Sequence, residues 1–331
     1  MIHFVPFPEW ISPAVVPGLP FRWYGVMYLL AFAVTYLLFL HEIRRRDPSV
    51  DRERVADFFF WVVLGLLLGA RIYYVLAFDG GAYLSRPWLI VWPFSDGKFT
   101  GIQGMSYHGG LIGAIIAAGI YARIRGVDLL LWGDVLAVSA PLGYTLGRLG
   151  NFTNGELVGR TTTVAWGVMF PNARRYSATE PWVQDMAGDT GVEIADAGQM
   201  VNLPRHPSQL YEGFLEGILL WLVLWLVFRR SGMFRGALIA LYLVGYGAAR
   251  LMAGYFRETN EAVGFLFSRG TASDNSAMVG SALQITEGQV YSLLMIVAGV
   301  ILAVVFRVRH RPPPVVETFE DPAPETGSQT E

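Results

Sequence analysis

The chain has 331 residues, of which 53% are hydrophobic and 16% charged, with a formal net charge of −2 and no cysteine. Soluble domains carry about 25% charged residues, so the composition excludes an ordinary soluble globule. The near-neutral balance makes no electrostatic case for nucleic acid, and the missing cysteine excludes disulfides, thiolate metal sites and a cysteine nucleophile on this chain.

The N-terminal stretch MIHFVPFPEW has no basic segment and no small-residue cleavage site before an apolar core, so the first long apolar run reads as a retained helix. Seven blocks then reach the roughly 20 apolar residues that cross a bilayer. They lie at roughly 20–40, 55–78, 109–123, 128–148, 208–228, 236–256 and 288–306. Arginines follow every second span: Arg44, Arg45, Arg46, Arg52 and Arg54; Arg123 and Arg125; Arg229, Arg230 and Arg235; Arg307, Arg309 and Arg311. Alternating spans put all four clusters on one side. The positive-inside rule makes that side cytoplasmic, with the N-terminus outside and the C-terminus inside. The reading is therefore an all-α polytopic membrane protein of about seven transmembrane helices. A membrane domain covers residues 1–310 and includes a small outer, periplasmic-side head within 149–207. Residues 311–331, rich in Pro, Glu and Thr, form a disordered cytoplasmic tail by composition. No internal repeat is visible, which weakens the rival reading of a non-enzymatic transporter that binds an anionic lipid or solute through outer arginines.

Charge inside a span costs about 2.5–3.5 kcal/mol per residue on insertion scales, yet Arg71, Arg148 and Arg250 lie in the outer halves of spans two, four and six. His108 and Tyr24 open spans three and one at the same depth. One snorkelling arginine is ordinary; three at matched depth point to an anion site. The densest polar stretch, GRLGNFTNGELVGR at 147–160, supplies Arg148, Asn151, Asn154, Glu156, Gly159 and Arg160. Such a run cannot face lipid, because its polar groups need partners. Guanidinium forks suit phosphate. GYGAARLMAGYFRE at 245–258 adds Tyr246 and sets Arg250 and Arg257 seven apart on one helix face.

YHGGLIG, GRLGNFTNGELVGR, RHPSQLYEG and GYGAAR, in this order, resemble the prolipoprotein diacylglyceryl transferase family, as do FRWYGVMY, LGARIYYVL and WGVMFP. The resemblance runs from about residue 20 to about residue 310. It implies a bacterial cytoplasmic (inner) membrane enzyme with the N-terminus outside. The implied partners are phosphatidylglycerol, a prolipoprotein signal peptide with a lipobox cysteine, and the surrounding membrane lipids, with no metal and no organic cofactor. By motif, the resemblance assigns catalysis to His108, Arg148 and Arg250. It places Tyr24, Asn151, Glu156 and Gly159 at substrate binding, and the polar stretches themselves add Arg71, Asn154, Arg160, Tyr246 and Arg257 as substrate-binding candidates. The chain departs from the pattern at Gly254, where the family often has glutamate; Glu258 or Glu156 then has to supply that carboxylate. Both implied substrates arrive within the membrane plane, so a lateral opening is expected, with Gly109, Gly110, Gly113, Gly247, Ala248 and Ala249 as its margins.

Overall fold

A computed structural model describes residues 4–15, 22–78, 80–90, 92, 94–95, 98–99, 104–196, 198–258, 265–267 and 285–309. The tail expected at 311–331 lies outside them. Seven helices are long and apolar enough to cross a membrane: Trp23–Arg46, Arg52–Phe78, Tyr107–Arg125, Leu129–Asn154, Ser208–Phe228, Ala237–Gly254 and Glu287–Arg309. They are the first to seventh spans below. Each expected span is present. The first runs six residues further than expected, to Arg46, and the fourth likewise runs on to Asn154, so that the first half of the signature run is helix.

Local chemistry sets the helix ends. Ser106 Oγ caps the third span by accepting from Gly109 N, and Asp128 Oδ1 caps the fourth by accepting from Leu130 N and Leu131 N. Gly155, at φ 65°, closes the fourth span in the left-handed conformation and returns its N–H to Asn151 O and Phe152 O. Asp134, buried in the fourth span, accepts from Gly236 N, Leu238 N and Ile239 N, and so caps the sixth span from a neighbouring helix.

The spans associate as pairs: first with fourth, second with third, sixth with seventh, with the fifth packed on the fourth. The second–third pair is glued by glycines. A Cβ on Gly113 would stand 2.1 Å from Gly65 O, and one on Gly109 would stand 2.4 Å from Gly69 O. Gly247 is pressed onto Ser292 O and Ile296 of the seventh span. Gly109, Gly113 and Gly247 are therefore seams of tight packing, while Ala248 is exposed. The contact of the second–third pair with spans one and four gathers at the arginine-rich end. There Phe39, Ile43, Phe58, Tyr121, Trp132 and Val135 form one aromatic-rich cluster.

At that same end Glu42, fully buried, holds Arg45, Arg46 and Arg229, and Arg46 Nη2 caps the fifth span through Arg229 O at 2.8 Å. The opposite end carries the head. Val5–Pro6 pairs in parallel with Val168–Met169, and Tyr176–Ser177 pairs antiparallel with Met200–Val201. A helix at Pro181–Thr190 buries Val183, Met186 and Ala187 against Tyr176, Val201 and Leu203. The head thus has a small core of its own.

Candidate active site

Two carboxylates organise the centre of the molecule. Glu212 and Glu216 lie one turn apart at the start of the fifth span, both fully buried. The span is π-helical over Gly213–Leu219, a distortion that gathers at functional sites. Its approach to the fourth span needs glycine. A Cβ on Gly217 would fall 1.9 Å from Thr145 Oγ1, and Gly213 O accepts from that hydroxyl at 3.0 Å. The two helices therefore meet closely, with Arg148 one turn beyond Thr145 and directly beside Glu212.

Three arginines converge on this pair from two other segments. Arg250 Nη1 stands 2.7 Å from Glu212 Oε1 and 3.4 Å from Glu216 Oε1. Arg148 Nη1 is 2.8 Å from Glu212 Oε2, and Arg257 Nη1 is 3.0 Å from Glu212 Oε1. Arg148 Nε donates to Tyr144 Oη at 2.6 Å, and Tyr144 donates in turn to Glu216 Oε2. Buried charge persists only when paired and hydrogen-bonded, and each carboxylate here has at least two such partners. Three guanidinium groups face two carboxylates, a formal balance of +1.

The signature run supports this cluster from the head side. Arg148 Nη1 donates to Asn151 Oδ1 at 3.4 Å, and Asn151 Nδ2 donates to Glu156 Oε1 at 2.8 Å. Gly159 threads between two strands of chain: a Cβ there would lie 2.5 Å from both His206 O and Phe256 O. Its N–H donates to His206 O, while Arg160 N donates to Phe256 O and Arg160 Nε to Arg257 O. This lacing fixes the backbone that carries Arg257. Burial pulls the Arg160 guanidinium down to about 10. Burial, and then the charge of Arg160, pulls the neighbouring His206 imidazole down to about 4. Asn154 ends the fourth span and borders a polar pocket beside the cluster.

The other expected residues sort by where they stand. Tyr24 packs on Gly150, with its ring 3.4 Å from where a Cβ would be, and shares a 3.0 Å hydroxyl contact with Tyr28. Tyr246 meets Tyr144 edge-on at 5.7 Å between centroids and buttresses it. His108 is exposed at the head end of the third span, its ring between Tyr107 and Tyr291 of the seventh span. It does not join the arginine–glutamate cluster. Tyr107, beside it at the start of the third span, is 74% exposed.

Arg71 is bound elsewhere. It donates to Ile90 O at 2.7 Å, Leu89 O at 2.8 Å and Gly104 O at 3.0 Å, and lies over the Tyr83 ring at 4.9 Å. It thus holds the carbonyls of Leu89, Ile90 and Gly104 together. The gap at Gly254 is filled by Gln289, whose Cγ would stand 3.0 Å from an added Cβ. Neither Glu258 nor Glu156 takes that place: Glu258 pairs with Arg205 at 2.9 Å, and Glu156 with Asn151. The partner carboxylates are Glu212 and Glu216. A search for arginines inside spans overlooked them, although two acids four apart in an apolar run at 208–228 were the available signal. Tyr144 was overlooked as well.

Among the described residues no group of three His, Asp or Glu side chains is arranged to hold a metal. The fold and the cluster define a mostly helical, multi-pass membrane protein built around a buried, cationic site at the head end of its helices. The prolipoprotein diacylglyceryl transferase family profile matches residues 13–305. The phosphatidylglycerol–prolipoprotein diacylglyceryl transferase of Treponema pallidum is 43% identical over 308 residues, which covers 88% of this chain and 92% of that protein. The protein of the same name from Treponema denticola is 42% identical, covering 94% and 97%. Its namesake from Chlorobaculum tepidum is 38% identical, covering 88% and 89%. The chain belongs to the prolipoprotein diacylglyceryl transferase family, and so is a membrane-bound transferase of lipoprotein biosynthesis.

Proposed function

We propose that this chain transfers the diacylglyceryl group of phosphatidylglycerol to the thiol of the lipobox cysteine in a prolipoprotein signal peptide. The products are a thioether-linked lipid and glycerol phosphate, and the step is the first in lipoprotein maturation. One observation carries the reading at this site: three guanidinium groups set against two buried carboxylates leave one positive charge over. A phosphodiester carries one negative charge, so a single phosphatidylglycerol phosphate neutralises the site. Its oxygens can take guanidinium donors as Glu212 does, in the planar fork geometry that arginine offers.

In the reaction the thiol sulfur attacks the glyceryl carbon that bears the phosphate. The S–C bond forms, the C–O bond breaks, and the electron pair leaves on the phosphate oxygen. Charge on that oxygen grows as the bond lengthens, and Arg148 and Arg250 stabilise it. The thiol proton goes to a base, because a thiol near pKa 8.5 is a weak nucleophile until ionised. Displacement at carbon is in-line, so the base stands across the carbon from the phosphate. A histidine bound into the arginine cluster would be on the wrong side. His108, outside the cluster at the exposed head end of the third span, suits that position. Asn151, itself held by Glu156, positions Arg148, and Arg257 joins the two arginines around Glu212 and the headgroup, with Tyr24, Asn154, Gly159, Arg160 and Tyr246 shaping the wall around them.

The reading also sets topology. The head faces outward and the arginine-rich helix ends face the cytoplasm, as the charge rule requires. The membrane domain over 1–310 then carries the chemistry, and 311–331 is a cytoplasmic tail. Both substrates come from the outer leaflet, alongside the exposed flank of the third span at Tyr107 and Leu111. Passing acyl chains through water instead would cost about 0.8 kcal/mol per methylene. The test is to incubate purified protein with phosphatidylglycerol and a lipobox peptide, and to weigh the peptide. A diacylglyceryl mass gain on the cysteine peptide and none on its Cys→Ser form is expected. No gain on the cysteine peptide would overturn the reading.

A further inference from the structure

The head side of the cluster opens into a polar pocket of about 530 Å³. Its wall includes Asn154, Glu156, Asn172, Arg174, Arg257 and Glu258. Arg257 belongs to two places at once: its guanidinium pairs with Glu212 in the buried cluster, and the residue is part of the wall of this pocket. Both carboxylates of the pocket are already engaged, Glu156 by Asn151 at 2.8 Å and Glu258 by Arg205 at 2.9 Å. The cations are placed in sequence, Arg257 at the cluster and Arg174, exposed on the head, further out.

We propose that this pocket is the exit site for the small phosphate monoester released by the reaction, with Arg257 receiving it from the cluster and Arg174 binding it at the water-facing rim. The proposal rests on the transferase reading above. Charge supplies the driving force. The cluster, at a formal +1, is matched to a phosphodiester. When the C–O bond breaks, the leaving group becomes a monoester with a second pKa near 6, and so carries close to two negative charges at neutral pH. That is one charge more than the cluster neutralises, and the pocket offers the surplus charge water and a further guanidinium, Arg174. The product has lost its acyl chains, so it can leave through a polar route that the lipid could not use. The lipidated peptide keeps its chains and stays in the membrane plane. A pocket open to water on the head side and joined to the cluster by a shared arginine meets these requirements.

The test uses the full chain in detergent with phosphatidylglycerol, a lipobox peptide and added sn-glycerol 1-phosphate. Inhibition constants are compared for the wild type, Arg174→Gln and Asn172→Asp; the second variant adds a negative charge to the pocket wall with almost no change of shape. The inhibition constant for the added monoester should rise by about tenfold in each, the effect of one charged hydrogen bond, while the KM for phosphatidylglycerol moves much less. Calorimetric titration of the same monoester into each protein should show the same weakening. An unchanged inhibition constant in both variants overturns the exit site. So does a KM that rises in step with it, since that would make the pocket a lipid headgroup site. Wild-type protein that transfers no lipid overturns the transferase reading and the exit site together. Wild-type protein that transfers normally, with inhibition unmoved in the variants, overturns the exit site alone.

Discussion

Arg250 and Glu212, on different helices and 38 residues apart in sequence, are joined by a 2.7 Å ion pair in which the carboxylate is wholly shielded from water. Glu212 also holds Arg148 and Arg257, so it sets the spacing of three cations with one side chain. Removing one partner of a buried pair costs about 3–5 kcal/mol. Glu212→Gln should therefore lower the melting temperature and cut transfer by at least about a hundredfold, because three guanidinium groups lose the anion that spaces them. Thermal unfolding and kcat/KM on the same preparation check this. Near-normal transfer in this variant would remove Glu212 from the site.

Arg148→Ala and Arg250→Ala should each reduce turnover by about 10² to 10³, the usual effect of deleting a donor to a developing oxyanion. Lysine at either position should recover little. Arg148 uses Nε on Tyr144 and Nη1 on Asn151 and Glu212, and a point charge cannot span those partners. Steady-state kinetics on the four variants decide the matter, and wild-type rates in either lysine variant would contradict the fork geometry.

The seven spans and the cationic depth were legible in the sequence, because a bilayer demands about 20 apolar residues and makes each buried arginine conspicuous. The pairing of those arginines was less so. Glu212 and Glu216 sit where the fifth span begins, so they look like the polar edge of a helix until the fourth span is packed against Gly213 and Gly217. The end of the fourth span was set too early, since GRLGNFTN is polar enough to pass for loop. Its polar face is satisfied by protein, not by solvent. Gly109 and Gly113 were ambiguous for a different reason. Small residues allow either an opening or a close approach, and only the position of Gly65 and Gly69 tells which. Arg71 shows the same ambiguity, since a guanidinium that can hold phosphate can equally hold three loop carbonyls.

Glycines with and without neighbours should separate cleanly. Gly159→Ala drives a methyl to within 2.5 Å of two backbone carbonyls, and should unlace the 156–160 segment from 206 and 256. Gly147→Ala, twelve residues earlier in the same run, meets nothing within 4 Å. The first should lower the melting temperature and open the head to protease; the second should do neither. Equal behaviour of the two variants would contradict the packing described for the signature run.

The head should also weaken in acid. His206 is held at about 4 in the folded chain by burial and by Arg160, against about 6.5 when unfolded. The unfolded state binds the proton more readily, so the contribution is full above about 6.5 and falls away as the pH drops toward 4. Tyr211, whose hydroxyl lies 3.2 Å from His206 Nδ1, supplies no charge to offset this. Melting temperatures between pH 7 and 4 should fall with acid in the wild type and fall less in His206→Gln. Parallel slopes would remove His206 as the source.

His108 is the test of the base. His108→Gln should lower turnover more than it weakens lipid binding, and raising the pH toward the thiol pKa near 8.5 should restore part of the rate by ionising the acceptor directly. Unchanged turnover at neutral pH would leave His108 as packing between Tyr107 and Tyr291.

The central claim is that a thiol displaces a phosphate held by the arginine cluster, with cleavage at carbon. The most direct measurement uses phosphatidylglycerol carrying one isotope in the diacylglyceryl half and another in the headgroup glycerol, followed by mass spectrometry of both products from the wild type and from Arg250→Ala. The account predicts the first label on the peptide as a thioether, the second entirely in water-soluble glycerol phosphate in equal amount, and both products from the variant lower by about 10² to 10³. Headgroup label on the peptide, or equal yields from the wild type and the variant, would contradict it.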